Sequence, residues 1–371
     1  MKPLLKLFQL PVVTSLLSAF LVVFLPACKP QPMTQIPFDQ AYIQRLGRTV
    51  LNADASLTFG YPGTGVRFRT DASQARVEAL STGDASYIGV RVDDGPVTRY
   101  TLGKSPLTIT LLDNPDGQTH TVELLHHSET WHGKVTLNRL TLAGGELQAP
   151  ASQPTRKLLV VGDSVTCGEG ANRDQVRQCN KDTSWWNAHQ SYGWLTGEAL
   201  GADTQLVCYG GRGLIRSWNG ATDELNGPDF YQLTLAEDGA PRWSQEDFQA
   251  DVVVVSLGTN DFSLSIGPLP EMEAFVGAYV SFVKTLLQDH PRADIVLTDG
   301  AIVSDGDPER PQRTVLRRYL AETLNRVGSD RVHVFEASHF PGDQCDAHPT
   351  GPQHKKMSEE LVAAIRTIKG W

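Results

Sequence analysis

At 371 residues the chain has room for two domains, and its net charge of −9 comes without any block of Lys or Arg. That balance favours solubility and excludes a nucleic-acid surface, but it selects no substrate.

The first 28 residues differ from the rest. Lys2 and Lys6 lead into an apolar run from Leu10 to Leu25, closed by Ala27 and Cys28. A positive start, an apolar centre and a small residue before the boundary read as an export signal. Leu25-Pro26-Ala27-Cys28 resembles a bacterial lipoprotein box, which implies lipidation of Cys28 and an extracytoplasmic protein touching membrane only through that anchor. Lys29 after the lipidated Cys favours outer-membrane sorting by the same resemblance. Residues 29–37 are polar and proline-rich, and read as a tether.

From about 50 to 142 the apolar residues alternate. Segments 66–70, 75–80, 87–95, 107–112, 120–126 and 135–142 have period two and are separated by turn signals such as Asp94-Gly95-Pro96 and Asp116-Gly117. Short alternating strands at such intervals predict an antiparallel β-sandwich spanning 38–148. His120, His126, His127 and His132 with Glu129 lack the spacing of a metal site, and adjacent His126 and His127 point to opposite faces of a strand. Residues 143–155 are small and polar with two prolines, a linker.

From 155 onward the pattern changes. Leu158-Leu159-Val160-Val161 is a short, β-branched apolar run, the mark of a strand buried on both faces. Gly162-Asp163-Ser164 breaks it, placing Ser164 at the carboxyl end of the strand, where open α/β sheets bind ligands. Further apolar runs lie at 205–210, 251–258, 293–300 and 331–337, with helical segments at 271–290 and 313–328 between them. This rhythm predicts a three-layer α/β domain with a parallel sheet of about five strands. Thr350 and Gln353 fit a capping box opening a terminal helix, so Asp346-Ala347-His348-Pro349 is a loop directly before it. In an extended backbone Asp346 and His348 project to one side. The carboxylate can then orient the imidazole toward Ser164, the logic of nucleophile, base and orienter in acyl transfer. The N–H groups of Ser164 and Gly211 and the amide of Asn260 are candidate oxyanion donors. Trp185, Trp186 and Trp218 are candidate sugar-stacking surfaces, and Arg212 a candidate substrate contact.

Gly162-Asp163-Ser164, Gly211, Gly258-Thr259-Asn260-Asp261 and the Asp346/His348-Pro349 loop, in that order, resemble the SGNH (GDSL) hydrolase superfamily over residues 157–371. The sandwich-first layout, with GDSVTCGEG, CYGGRGL and CDAHP, looks like the second family of carbohydrate esterases, the acetyl xylan esterases. That resemblance implies a jelly-roll-like sandwich followed by an SGNH domain. It also implies a serine esterase, without metal or cofactor, that removes acetyl groups from xylan or glucomannan, often at a 6-hydroxyl. Asp-x-His matches this subgroup, in some members of which a main-chain carbonyl replaces the Asp. Ala347 stands where the family often has an aromatic residue. Two other readings compete: a lipid-acting esterase or thioesterase of the same superfamily, and a non-catalytic carbohydrate-binding lipoprotein. The sandwich disfavours the former, and the joint presence of Ser164, Gly211, Asn260 and His348 the latter. Besides Cys28, four cysteines allow three disulfide pairings, of which Cys167–Cys179 is the most local.

Overall fold

The computed structural model describes residues 33–371 except 115, 153, 174–178 and 264–266. The segment expected to be an export signal, and Cys28, lie outside the described residues.

The first domain consists of two antiparallel sheets of six strands each. One holds β1 (Met33–Ile36), β3 (Thr49–Leu51), β4 (Leu57–Phe59), β6 (Gln74–Ser81), β9 (Leu107–Asp113) and β11 (Val135–Ala143). The other holds β2 (Gln44–Leu46), β5 (Gly65–Thr70), β7 (Ser86–Val92), β8 (Thr98–Leu102), β10 (His120–His126) and β12 (Leu147–Gln148). Along β6 every second residue is buried, as a strand with one face on a core requires. Leu57, Phe68, Val77, Val122 and Leu137 from the two sheets meet in that core. The first strand corrects one expectation. Residues 33–36 do not hang free as part of a tether but pair with 140–143 of β11.

The second domain is built on five parallel strands: β13 (Arg156–Gly162), β14 (Ala202–Cys208), β15 (Val252–Ser256), β16 (Asp294–Thr298) and β17 (Val332–Phe335). Their order is β14-β13-β15-β16-β17, so the direction of winding reverses beside β13. That reversal leaves a crevice at the carboxyl ends of β13 and β15. The alternation of side chains explains why these strands are apolar throughout. Leu158, Val160, Leu206 and Val254 face a core shared with α1 (Tyr192–Leu200) and α5 (Gly351–Lys369). Leu159, Val161, Val207 and Val255 face the opposite core, shared with α3 (Met272–Asp289) and α4 (Gln312–Val327). Phe275, Tyr279, Phe282 and Leu286 form the buried stripe of α3, while a short helix, α2 (Gly227–Phe230), packs near β14.

The capping box of α5 is present: Gln353 Oε1 accepts the Thr350 N–H at 2.9 Å. Such a cap contributes about 1 kcal/mol and fixes where the preceding loop ends. The cysteines pair as Cys167–Cys208 and Cys179–Cys345, not as Cys167–Cys179. Proximity in sequence misleads here because β13 and β14 are neighbours, with Gly162 opposite Cys208. The turn after β13 therefore returns over the end of β14.

Candidate active site

Ser164 stands where β13 ends. The chain coils tightly there: the Cys167 N–H bonds the Asp163 carbonyl and the Glu169 N–H that of Ser164, both at 3.0 Å. Gly162 makes this possible, since a Cβ on it would lie 2.0 Å from Thr166 Oγ1. Ser164 Oγ is 2.9 Å from His348 Nε2. His348 Nδ1 in turn bonds Asp346 Oδ1, which also accepts the His348 backbone N–H at 2.9 Å. The side chain of Asp346, not a main-chain carbonyl, therefore orients the ring.

The loop after β15 supplies Asn260, whose Nδ2 donates to the Arg212 carbonyl at 2.9 Å. Next to it, Asp261 accepts the backbone N–H groups of Leu214, Ile215 and Arg216 at 2.7, 2.8 and 3.1 Å. These bonds join the Asn260 loop to the loop after β14 that carries Gly211, whose φ of +76° suits a residue without Cβ. Among the described residues, no hydrogen bond occupies the N–H of Ser164 or of Gly211. Ser164, Asn260, His339, Ala347 and His348 line a cleft of 440 Å³ at the sheet's carboxyl edge. A hydroxyl beside an oriented imidazole, with open donors nearby, is equipped for acyl transfer to and from Ser164.

The family model of the carbohydrate esterase 2 N-terminal domain matches residues 45–151, and that of the GDSL-like lipase/acylhydrolase family residues 160–357. An acetylxylan esterase/glucomannan deacetylase from Cellvibrio japonicus (strain Ueda107) is 47% identical over 337 residues, 91% of either chain. This chain belongs to the family 2 carbohydrate esterases. It superposes on the solved family two carbohydrate esterase from Cellvibrio japonicus with a TM-score of 0.85 and 45% identity, covering 92% of this chain and 99% of the other. The family two esterase from Clostridium thermocellum, solved in complex with cellohexaose, gives 0.80 at 26% identity, covering 89% and 99%. The protein is accordingly a carboxylic ester hydrolase.

The esterase carries charged groups at this site that the sequence did not single out. Glu169 Oε2 lies 3.3 Å from His348 Nε2, and Lys181 bridges Glu169 and Asp346, reaching the latter at 3.4 Å. Burial works against a charged His348, but the charge of Glu169 and the bond to Asp346 outweigh it and hold the imidazole above its ordinary value. Burial likewise opposes a charged Asp346, yet the bond from His348 and that residue's charge hold it well below the usual carboxylate range. Glu169, Asp346 and His348 bring one ligand atom each within 4.8 Å of one another, a spacing that could hold a cation. Lys181 Nζ already supplies the positive charge to both carboxylates.

Three of the candidate substrate contacts are placed elsewhere. Trp185 and Trp186, 1% and 2% exposed, belong to the core on the α1–α5 side and offer no face to a sugar. Arg173 stacks over Trp185, and Trp186 Nε1 donates to Glu129 at 2.7 Å. Arg212 is engaged by Glu224 and by Ser217 Oγ at 2.8 Å, an ion-pair role within its own loop. Trp218 is different: 55% exposed, it leans on Gly211, with its backbone N–H on the Gly211 carbonyl at 2.9 Å. Trp131 of the sandwich, 54% exposed, lies in a short 3-10 turn (Thr130–His132). Its place inside a polar, histidine-rich turn hid it from pattern reading.

Proposed function

We propose that this esterase removes O-acetyl groups from plant cell-wall polysaccharide, xylan or glucomannan, and favours acetyl on a sugar 6-hydroxyl, through an acetyl-enzyme on Ser164. The observation that carries the reading is the 2.9 Å contact of Ser164 Oγ with His348 Nε2 in an open cleft. As Ser164 Oγ attacks the acetyl carbonyl, His348 Nε2 takes the hydroxyl proton, and Asp346 stabilises the imidazolium. The carbonyl oxygen becomes an oxyanion facing the Ser164 and Gly211 N–H groups and Asn260 Nδ2. Collapse breaks the ester bond, and the departing sugar oxygen takes the proton from His348. A water activated by the same nitrogen then releases acetate and restores Ser164.

An acetyl on an exocyclic 6-position stands clear of the glycan chain and enters a cleft that the chain itself need not enter. Glucomannan carries such positions and xylose does not, so the two polymers discriminate. The relative named for both acetylxylan and glucomannan supports the substrate class. Exposed Trp218 beside Gly211 offers a stacking face for a sugar ring. The mature enzyme is an extracytoplasmic lipoprotein held by Cys28, which labelled-palmitate incorporation lost in Cys28→Ala would verify.

The test is acetate release from acetylated glucomannan and acetylated xylan, with Ser164→Ala alongside. Release from glucomannan at least tenfold faster, and absent in the variant, supports the reading. No release from either polymer by the wild type overturns it.

A further inference from the structure

The loop that presents Gly211 is held from outside its own domain. Glu129 follows β10 in the sandwich, and its carboxylate is buried against the hydrolase domain. Glu129 Oε2 accepts the Gly210 N–H and the Trp131 indole N–H, the latter at 3.1 Å, while Oε1 accepts the Trp186 indole N–H at 2.7 Å. The contact leaves no room at position 210: a Cβ there would stand 2.6 Å from Oε1 and 3.0 Å from Oε2. On the far side of the Gly210–Gly211 peptide, the Trp218 N–H bonds the Gly211 carbonyl at 2.9 Å. The peptide bearing the Gly211 N–H is thus clamped from both sides, and the Glu129 clamp comes from the sandwich domain.

We propose that Glu129 is a positioning residue for ester hydrolysis, a strut from the sandwich domain that sets the Gly210–Gly211 loop so that the Gly211 N–H faces the developing oxyanion. The proposal rests on the reading of Gly211 as an oxyanion donor. It gives the first domain a part in the chemical step. An oxyanion hole depends on donors fixed before the reaction, and removing one donor outright costs about 10²–10³ in kcat. Misaligning one donor of three costs less, about tenfold to hundredfold. Ground-state binding of a small acetate ester does not use that alignment, so KM should change little.

The experiment measures kcat and KM on 4-nitrophenyl acetate for the whole enzyme at pH 8. Burial, and then the charge of Glu169, push the Glu129 carboxyl up to about 7, so at pH 8 it is ionised. Glu129→Ala should lower kcat tenfold to hundredfold with KM within about twofold. Glu129→Gln, which keeps one acceptor for the Gly210 N–H but turns its amide N–H groups toward the Trp186 indole N–H, should have a kcat between those of wild type and Glu129→Ala. Gly210→Ala, which drives a Cβ into the carboxylate, should match Glu129→Ala, and the double variant should be no slower than either single one. A shared cause predicts that non-additivity, whereas independent structural damage would add. Wild-type kcat in Glu129→Ala, a loss confined to KM, or additive losses in the double variant would each overturn the proposal. The aryl ester needs only ester hydrolysis, so these outcomes are separate from a failure of the polysaccharide assignment, which the wild type alone decides on polymer.

Discussion

Replacing Glu169 by Gln tests the electrostatics of the site most directly. At 3.3 Å, unit charges on Glu169 and His348 attract by ~5 kcal/mol at an effective dielectric constant of about 20. Lys181 sits on the same carboxylate and cancels part of this. The remainder still favours the charged imidazole. The sign follows from the role of the ring. His348 acts as a base only when neutral, and Glu169 raises its pKa, so the charge delays activity to higher pH. Glu169→Gln should therefore move the acid limb of kcat/KM toward lower pH. The plateau should also fall, roughly tenfold, because the imidazolium loses a charged neighbour as it forms. The assay is the pH profile of kcat/KM on 4-nitrophenyl acetate, which reports ionisations of the free enzyme. An acid limb that stays in place, or moves to higher pH, would refute the reasoning.

Asp346→Asn removes the acceptor at His348 Nδ1 and lets an amide donate there, putting the proton on Nε2 opposite Ser164. A fall in kcat of about 10³-fold with KM nearly unchanged is expected from steady-state kinetics. Trp218→Ala should raise KM on acetylated glucomannan severalfold and leave 4-nitrophenyl acetate hydrolysis within about twofold if the exposed indole is the sugar-stacking face proposed above. Glu123 joins Arg67 and Arg91 to His189 across the domain boundary. Burial opposes its charge, but these partners, the His189 bond foremost, bring it down to about 2. Its folded pKa is depressed, so its contribution is complete above the unfolded value near 4.5 and lost as pH falls toward 2. About 3 kcal/mol should disappear over that window in denaturant titrations, and Glu123→Gln should flatten the slope.

Much of the hydrolase domain was legible because parallel strands buried on both faces leave continuous apolar runs. Leu158 to Val161 and Val252 to Val255 have no polar residue to obscure them. The loop before α5 was legible for another reason: Thr350 and Gln353 announce the helix start, and Asp346 and His348 then fall just outside it. The strands β1 to β4 are three or four residues long, too short to establish a period, so the strand at 33–36 reads as linker. Trp185 and Trp186 show the limit of aromatic counting, because a large ring suits a core and a sugar platform equally until neighbours are known. Glu129 and Lys181 carry no motif, and Glu169 lies inside GDSVTCGEG without the spacing alone giving it a role. Their roles arise from tertiary contacts, Glu129 with Gly210 81 residues on and Lys181 with Asp346 165 residues on, which composition and spacing do not record.

The two disulfides do more than hold a finished site. Cys167–Cys208 couples the Ser164 turn to the strand leading into the Gly211 loop, and Cys179–Cys345 couples the segment after that turn to the His348 loop. Closing loops of 41 and 166 residues removes about 4 and 5 kcal/mol of chain entropy from the unfolded state. A denatured but oxidised chain therefore keeps its three reactive loops on short leashes and begins any refolding with the site half gathered. The cross-links give the molecule a memory of its active site that outlasts the fold.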